Sequence, residues 1–127
     1  MIIGIGTDIV EIDRIKQSID KLGTRFLQRL LTPNELARYY AIGHPHQACA
    51  FVAKRFAAKE AAAKALGTGI ADGVSFQHFE VVNQGSGKPE LALAESVTQR
   101  LPATAKWHLS LTDERHYAQA FVIIEAT

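Results

Sequence analysis

The sequence predicts an α+β fold with a mostly antiparallel sheet, and three observations lead to this class. Segments rich in Ile and Val, which are typical of buried strands, open and close the 127-residue chain. Helical spacing of apolar residues dominates most of the first half. Short alternating segments separated by turns follow, as in a meander. Because domains usually span about 100 to 200 residues, residues 1–127 are expected to form one domain.

The first half is expected to contain one strand followed by helices. Residues 1–10 form the predicted strand, in which Gly4 and Gly6 allow another backbone segment to approach closely. Asp8 is placed at or just past the end of this strand. The predicted helices cover 11–31 with a break at Gly23, then a segment that starts at Thr32 and Pro33, and then 48–66 after a turn at 43–46.

The second half is expected to contain short strands and one short helix. A turn at 84–89 separates the first two strands and favours their pairing as a hairpin. The predicted strands are 76–83, 90–93, 107–111 and 117–125, and the predicted helix is 95–101.

Composition excludes several classes of protein. Hydrophobic residues make up 47% of the chain and charged residues 21%, which is typical of a folded globular domain and not of a disordered chain. No apolar run approaches about 18 residues, so no membrane span is expected. Cys49 is the only cysteine, which excludes an internal disulfide and a cysteine-clustered zinc site. No secretory signal is expected, and a reducing cytoplasm is the default compartment.

The strongest chemical signal lies on the longest predicted helix. Phe56, Glu60 and Lys64 are spaced four residues apart and share one helical face. Asp8 and Glu60 together could hold a hard cation such as Mg²⁺, which usually binds one or two carboxylates together with substrate phosphates. Lys64 would then be a positive charge beside those phosphates. The simpler interpretations are a surface Glu–Lys pair and, for Asp8, an N-cap of the first helix.

Charge is distributed unevenly along the chain. The net charge is only +1, yet residues 1–70 hold ten Lys and Arg against six Asp and Glu. The basic side chains Arg14, Arg25 and Arg29 lie in the first predicted helix and can share a face if Gly23 does not interrupt it, with Phe26 beside them. This face suits an acidic partner, although a solvated surface explains it equally simply.

Other familiar motifs fail. The glycines at 4 and 6 lack the third glycine of a dinucleotide-binding turn, and 87–89 lacks the first glycine and the Ser or Thr of a phosphate loop. The five histidines show no zinc-ligand spacing, and no serine stands in a nucleophile elbow.

Taken together, four segments resemble the holo-acyl-carrier-protein synthases, the small bacterial 4′-phosphopantetheinyl transferases. The resemblance covers essentially the whole chain in the usual order, and the combination is very specific. The segments are GIGTDIVE at 4–11, RFAAKEAAAKALGTG at 55–69, GKP at 87–89 and HLSLTDE at 108–114.

The resemblance implies a fold, a reaction and a set of site residues. The fold would be a mostly antiparallel sheet wrapped on a long central helix. The reaction would transfer 4′-phosphopantetheine from coenzyme A to a serine of apo acyl carrier protein, releasing adenosine 3′,5′-bisphosphate, in fatty acid biosynthesis. In this interpretation Asp8 and Glu60 would be Mg²⁺ ligands, and Lys64 would neutralise the pyrophosphate. The residues that would line the nucleotide site are Arg55, Gly67, Thr68, Gly69, Gly87, Lys88 and Pro89. Carrier-protein docking would use Arg14, Arg25, Phe26 and Arg29.

The resemblance also implies a homotrimer with active sites between subunits. A displacement at phosphorus needs positioning and charge neutralisation more than a protein nucleophile, which agrees with the absence of a nucleophile elbow. Glu60, directly or through a metal-bound water, is the expected general base.

The sequence departs from the family at one point. Many members carry Ser-His where this chain has Thr112 and Asp113, so a phosphate contact from that position is expected to come from elsewhere, for example Arg55 or His116.

Two other classes of function remain open at this stage. A docking module without chemistry would use the basic helix but leave Asp8, Glu60 and Lys64 unexplained. A nucleic-acid binder disagrees with the low net charge, so neither a nucleic-acid partner nor a membrane partner is expected.

Overall fold

The computed structural model describes residues 1–127 and places five strands and five helices along them. In chain order they are β1 (Ile2–Glu11), α1 (Ile12–Leu22), α2 (Thr24–Leu30), α3 (Pro33–Tyr40), α4 (Pro45–Leu66), β2 (Phe79–Asn83), β3 (Pro89–Leu93), α5 (Glu95–Thr98), β4 (Lys106–Asp113) and β5 (Tyr117–Glu125). A 3-10 turn at Phe76–His78 leads into β2. No helix is both long enough and apolar enough to cross a membrane.

The long helix α4 forms the centre of the molecule and packs closely on β1. Its alanines at 57, 58, 61, 62 and 63 are fully buried. A methyl group added at Gly4 would lie 2.2 Å from the Ala65 carbonyl oxygen, and one at Gly6 would lie 2.0 Å from that of Ala61. Only glycine therefore permits this separation of strand and helix, as the sequence predicts.

The strands form two antiparallel sheets. A three-stranded sheet has the order β1-β5-β4, and β2 and β3 form a separate hairpin. In the larger sheet Asp8 pairs with Ala120, which in turn pairs with Leu111. The α+β class with antiparallel pairing is confirmed, and the sheet is divided in two because β3 lies beside β4 without a hydrogen-bonded ladder.

The predicted break at Gly23 is confirmed: Gly23 adopts φ 61° and ψ −138° and separates α1 from α2. Other element boundaries differ from those predicted, and local contacts explain them. The helix α4 begins at Pro45 because His44 Nδ1 accepts a hydrogen bond from the Gln47 amide and proline fits the first helical position. The strand β2 begins only at Phe79 because the preceding residues form the 3-10 turn.

The predicted start of α3 is confirmed in detail. The Thr32 hydroxyl accepts a hydrogen bond from the Glu35 amide, and the Glu35 carboxylate accepts one from the Thr32 amide at 2.9 Å. This reciprocal capping box satisfies two amides that the helix itself leaves without partners.

Candidate active site

Phe56, Glu60 and Lys64 lie together on one face of α4, as their spacing predicts, and we call this the site face. Lys64 is exposed, whereas Phe56 and Glu60 are half-buried. The remainder of the helix is mostly buried, including the neighbouring Arg55 and Lys59. In the second half of α4, the site face is therefore the part that a ligand can reach.

The strand β1 brings Asp8 to the site face. Lys64 Nζ lies 2.9 Å from Asp8 Oδ1 and 3.0 Å from the Thr7 carbonyl oxygen. Asp8 lies inside β1, and Glu11 is the N-cap of α1 without a side-chain cap bond. The interpretation of Asp8 as a helix cap is therefore wrong, and so is its placement at the strand end.

Glu60 is a half-buried carboxylate on the site face. Its side chain makes no hydrogen bond or ion pair within the chain. Loss of solvent raises the pKa of Glu60, the negative charge of Asp8 raises it further, and Lys64 partly offsets the rise. The Asp8 carboxylate is thus near enough to raise the pKa of Glu60, and Lys64 is the cation beside Asp8.

The side chains Asp8 and Glu60 fit a Mg²⁺ site that is completed by water and substrate. They do not fit a site in which the protein supplies all the metal ligands. No group of three or more His, Cys, Asp or Glu side chains is placed to hold a metal. Magnesium usually takes one or two carboxylates and completes its shell with waters and substrate phosphates. Asp8 and Glu60 would be these two carboxylates, and Lys64 would be an additional cation for a phosphate oxygen.

The loop after α4 carries Gly67, Thr68 and Gly69. Gly67 ends the helix with φ 92°, a left-handed conformation that favours glycine. The Gly69 amide donates to the Ala63 carbonyl oxygen at 3.1 Å, which folds the loop back on the helix end. The three residues therefore lie within one turn of Lys64.

A second group of predicted site residues gathers around Asn83, at the end of β2. Arg55 is 4% exposed and lies over the ring of Phe51, with its Cζ 3.8 Å from the ring centroid. Its Nη2 donates to Asn83 Oδ1 at 3.3 Å, and Asn83 Nδ2 donates to the Gly87 carbonyl oxygen at 2.9 Å. Asn83 thus joins Arg55 to the turn that contains Gly87.

The charge of Arg55 is incompletely compensated. Its buried Nε has no hydrogen-bond partner. Burial lowers the pKa of Arg55 to about 10, and the nearby Arg38 lowers it in the same direction. Arg38 Nη1 also donates to Asn83 Oδ1, at 2.7 Å, so two guanidinium groups share one neutral oxygen.

Lys88 and Pro89 line a groove between the β2–β3 turn and β4. Lys106, Trp107 and His108 of β4 form the opposite wall. No hydrogen bond or ion pair joins the groups around Asn83 to the site face. One chain therefore presents two separate clusters of predicted site residues.

The predicted docking residues are divided between two helices. Arg14 is exposed on α1, Arg25 and Arg29 are exposed on α2, and Phe26 is half-buried. The condition set for one continuous basic face is not met, because Gly23 ends α1. The Arg29 Cζ lies 5.9 Å from the Phe76 ring centroid, and Phe76 packs on Phe56 at 5.8 Å, so α2 is connected to the site face.

Sequence reasoning missed a buried ion pair beside the site. Lys59 and Glu35 are 0% and 1% exposed, and Lys59 Nζ lies 2.5 Å from Glu35 Oε1. The available signal was a lysine in the alanine-rich part of the longest predicted helix, but its partner lies 24 residues away. The reasoning also missed the pairing of Asp113 with Lys54 at 3.5 Å, which uses the carboxylate that departs from the family pattern.

Comparison with known proteins identifies the family of the chain. Residues 4–122 match the 4′-phosphopantetheinyl transferase superfamily. A protein of Marinomonas sp. named holo-[acyl-carrier-protein] synthase is 61% identical over 126 residues, which is 99% of each chain.

Two solved structures extend the likeness. A holo-[acyl-carrier-protein] synthase from Neisseria meningitidis has a TM-score of 0.89 and 42% identity, covering 98% of this chain and 99% of its own. A holo-(acyl-carrier-protein) synthase from Bacillus anthracis, solved in complex with CoA (3′,5′-ADP), has a TM-score of 0.86 and 40% identity, covering 100% and 99%. The chain therefore belongs to the 4′-phosphopantetheinyl transferase superfamily and, within it, to the holo-acyl-carrier-protein synthases.

Proposed function

We propose that this protein transfers 4′-phosphopantetheine from coenzyme A to a serine of apo acyl carrier protein and releases adenosine 3′,5′-bisphosphate. The observation that carries the proposal is the convergence of Asp8, Glu60 and Lys64 from two elements of the fold. The names of relatives along the whole chain, and the coenzyme bound to the Bacillus anthracis protein, support the same reaction.

The chemistry requires no nucleophile from this chain. The carrier's serine oxygen attacks the phosphorus that bears the pantetheine arm, and the bond from this phosphorus to the bridging oxygen of the nucleotide breaks. The attacking oxygen loses its proton, and the leaving phosphate of adenosine 3′,5′-bisphosphate gains negative charge. The protein must therefore hold a proton acceptor and positive charge beside the pyrophosphate.

Asp8, Glu60 and Lys64 supply these needs. The two carboxylates would hold Mg²⁺, and the ion when bound would neutralise charge on the pyrophosphate. Lys64 places a further positive charge 2.9 Å from Asp8, where a phosphate oxygen can compete for it. Glu60 has no partner inside the chain and a raised pKa, which suits a general base for the serine hydroxyl.

The nucleotide is assigned to the second cluster. Arg55 is a buried cation with an unpaired Nε, and Asn83 joins it to Gly87, so both lie beside the Lys88 and Pro89 groove. The loop formed by Gly67, Thr68 and Gly69 is assigned to the same substrate because it follows directly on Lys64. These assignments give the coenzyme two positively charged regions.

The acyl carrier protein is assigned to α1 and α2. Arg14, Arg25 and Arg29 present exposed positive charge, and Phe26 adds an apolar surface beside two of them. An acidic carrier would be attracted by this charge, and the contact of Arg29 with Phe76 places α2 next to the site face.

The oligomer is proposed to be a homotrimer with active sites between subunits. The outer face of β1 exposes Ile5 and Ile9 at 60% and 61%, with Phe121 of β5 beside them. Contiguous exposed apolar residues of this kind mark interaction surfaces. A second copy of the chain on this face would cover the exposed apolar side chains.

The reaction is tested by intact-mass spectrometry of an apo acyl carrier protein. The carrier is incubated with this protein, coenzyme A and Mg²⁺, with a chelator in a parallel sample. A metal-dependent gain of one phosphopantetheine supports the proposal. Folded enzyme that modifies none of several bacterial carriers contradicts it and leaves a docking module as the better explanation.

A further inference from the structure

The C-terminal end of α2 is held by two side chains from other elements. Gln77 Nε2, in the 3-10 turn, donates to the carbonyl oxygens of Gln28 and Leu31, each at 2.7 Å, and lies 3.3 Å from that of Arg29. Lys59 Nζ, in α4, donates to the carbonyl oxygen of Leu30 at 2.6 Å. Four successive carbonyls at this helix end thus receive hydrogen bonds from outside the helix.

This arrangement is more than ordinary helix capping because α2 cannot hold its own position. The helix has seven residues, and isolated helices shorter than about 12 residues are marginal in water. Gly23 separates it from α1, and neither of its ends has a side-chain cap from the helix itself. Its orientation therefore depends on Gln77, on Lys59 and on its buried side chains Leu27 and Leu30.

The two donors are themselves fixed. Lys59 is fully buried and paired with Glu35, which also accepts a hydrogen bond from the Val81 amide at 2.8 Å. Gln77 lies next to Phe76, which contacts both Arg29 and Phe56. Lys59 directly precedes Glu60 in the sequence, so the same stretch of α4 carries the site face and anchors the end of α2.

We propose that Gln77 and Lys59 are positioning residues that set α2, with Arg25, Phe26 and Arg29, at a fixed distance from Glu60 for carrier-protein docking. The proposal rests on the proposed function, since it assigns α2 to the carrier. Neither residue touches substrate, and both act through the backbone of α2. The expected consequence is an effect on carrier recognition without an effect on coenzyme recognition.

The test uses Gln77 because its side chain is exposed and its replacement should not prevent folding. Gln77→Glu keeps the shape of the side chain and removes the donor, so carboxylate oxygens would face the carbonyl oxygens of Gln28 and Leu31. Gln77→Lys keeps a donor. Gln99→Glu, at the C-cap of α5, is the matched control, because Gln99 is exposed and its Nε2 donates only to the exposed Glu95.

Steady-state kinetics and amide hydrogen exchange give two independent readouts. For Gln77→Glu we expect a KM for the carrier raised about fivefold or more, since one lost hydrogen bond is worth about that factor. The KM for coenzyme A and the kcat at saturating carrier should stay within about twofold of wild type, and Gln77→Lys should restore carrier recognition. Amide exchange at 27–31 should accelerate in Gln77→Glu and remain slow in Gln77→Lys and Gln99→Glu.

Defined results would overturn the positioning role. An unchanged carrier KM in Gln77→Glu, an equal rise in the KM for both substrates, or unchanged amide exchange at 27–31 would each do so. Wild-type protein that transfers nothing to the carrier would refute the proposed function instead, and the exchange experiment would still decide whether Gln77 holds α2.

Discussion

Replacing Gly6 by alanine should separate β1 from α4 and thereby move Asp8 away from the site face. The new methyl group would lie 2.0 Å from the Ala61 carbonyl oxygen and 2.8 Å from the Ala65 amide nitrogen. A Cβ atom essentially never lies within 3.0 Å of a heavy atom to which it is not bonded through the chain. The strand must therefore move by about 1 Å. The atoms in the way belong to the backbone of a buried helix and cannot rotate aside.

The magnitude follows from this displacement. Overpacking of a buried contact costs about 1–3 kcal/mol of stability. For a domain of this size, each kcal/mol lowers Tm by about 4 °C. Asp8 is two residues further along the same strand, and a misplacement of about 1 Å at a reacting centre can reduce turnover by about 100-fold. The loss of activity should therefore exceed what the loss of folded protein explains at the assay temperature.

The assay combines calorimetry with the rate of phosphopantetheine transfer measured well below the Tm of the variant. Gly43→Ala is the matched control, because a methyl group there has no atom within 4 Å. Gly6→Ala with wild-type Tm and wild-type turnover would refute the reasoning. Equal losses in both variants would show that the effect comes from the change of residue type and not from the contact with α4.

Three further predictions concern charged side chains. Burial and Asp8 raise the pKa of Glu60, so the stability linked to this group is present at pH below 4.5 and declines as the pH rises through its folded-state pKa. Glu60→Gln should therefore abolish transfer yet raise the Tm of the metal-free protein at pH 7, with little difference from wild type at pH 4. Calorimetry at the two pH values measures this effect. Lys59→Met should lower the free energy of unfolding in urea by about 3–5 kcal/mol because Glu35 is left buried and unpaired, and Lys59→Met with Glu35→Leu should recover part of it. The double substitution Arg25→Glu and Arg29→Glu should raise the KM for the carrier, and the rise should be larger at 20 mM than at about 300 mM salt because these side chains are exposed.

Local signals in the sequence predicted most of the elements correctly. The capping box at Thr32 and the shared face of Phe56, Glu60 and Lys64 depend on residues a few positions apart. The close approach at β1 was indicated by Gly4 and Gly6 themselves, although the atoms that they meet belong to Ala61 and Ala65. The start of α4 was placed three residues late because the cap of His44 on Gln47 overrides the turn signal of Pro45. The division of the strands into two sheets has no local signal, since it depends on how β3 and β4 meet.

The site was predictable only in part, for the same reason. The convergence of Asp8 with Lys64 follows from a close contact of β1 with α4, which Gly4, Gly6 and the alanines of α4 indicate. The contacts of Lys59 with Glu35 and Leu30 join segments 24 and 29 residues apart, and no spacing rule foresees them. Magnesium, the trimer, the role of each site residue and the cytoplasmic location stay predictions.

The central claim is that Asp8 and Glu60 jointly form a divalent-cation site for the proposed transfer. Binding of Mn²⁺, followed by electron paramagnetic resonance in the presence of coenzyme A, tests it most directly on wild type, Asp8→Asn, Glu60→Gln and Gly43→Ala. We predict one bound ion per chain in wild type and Gly43→Ala, and at least about tenfold weaker binding in each carboxylate variant. Equal Mn²⁺ affinity in all four proteins would contradict the claim.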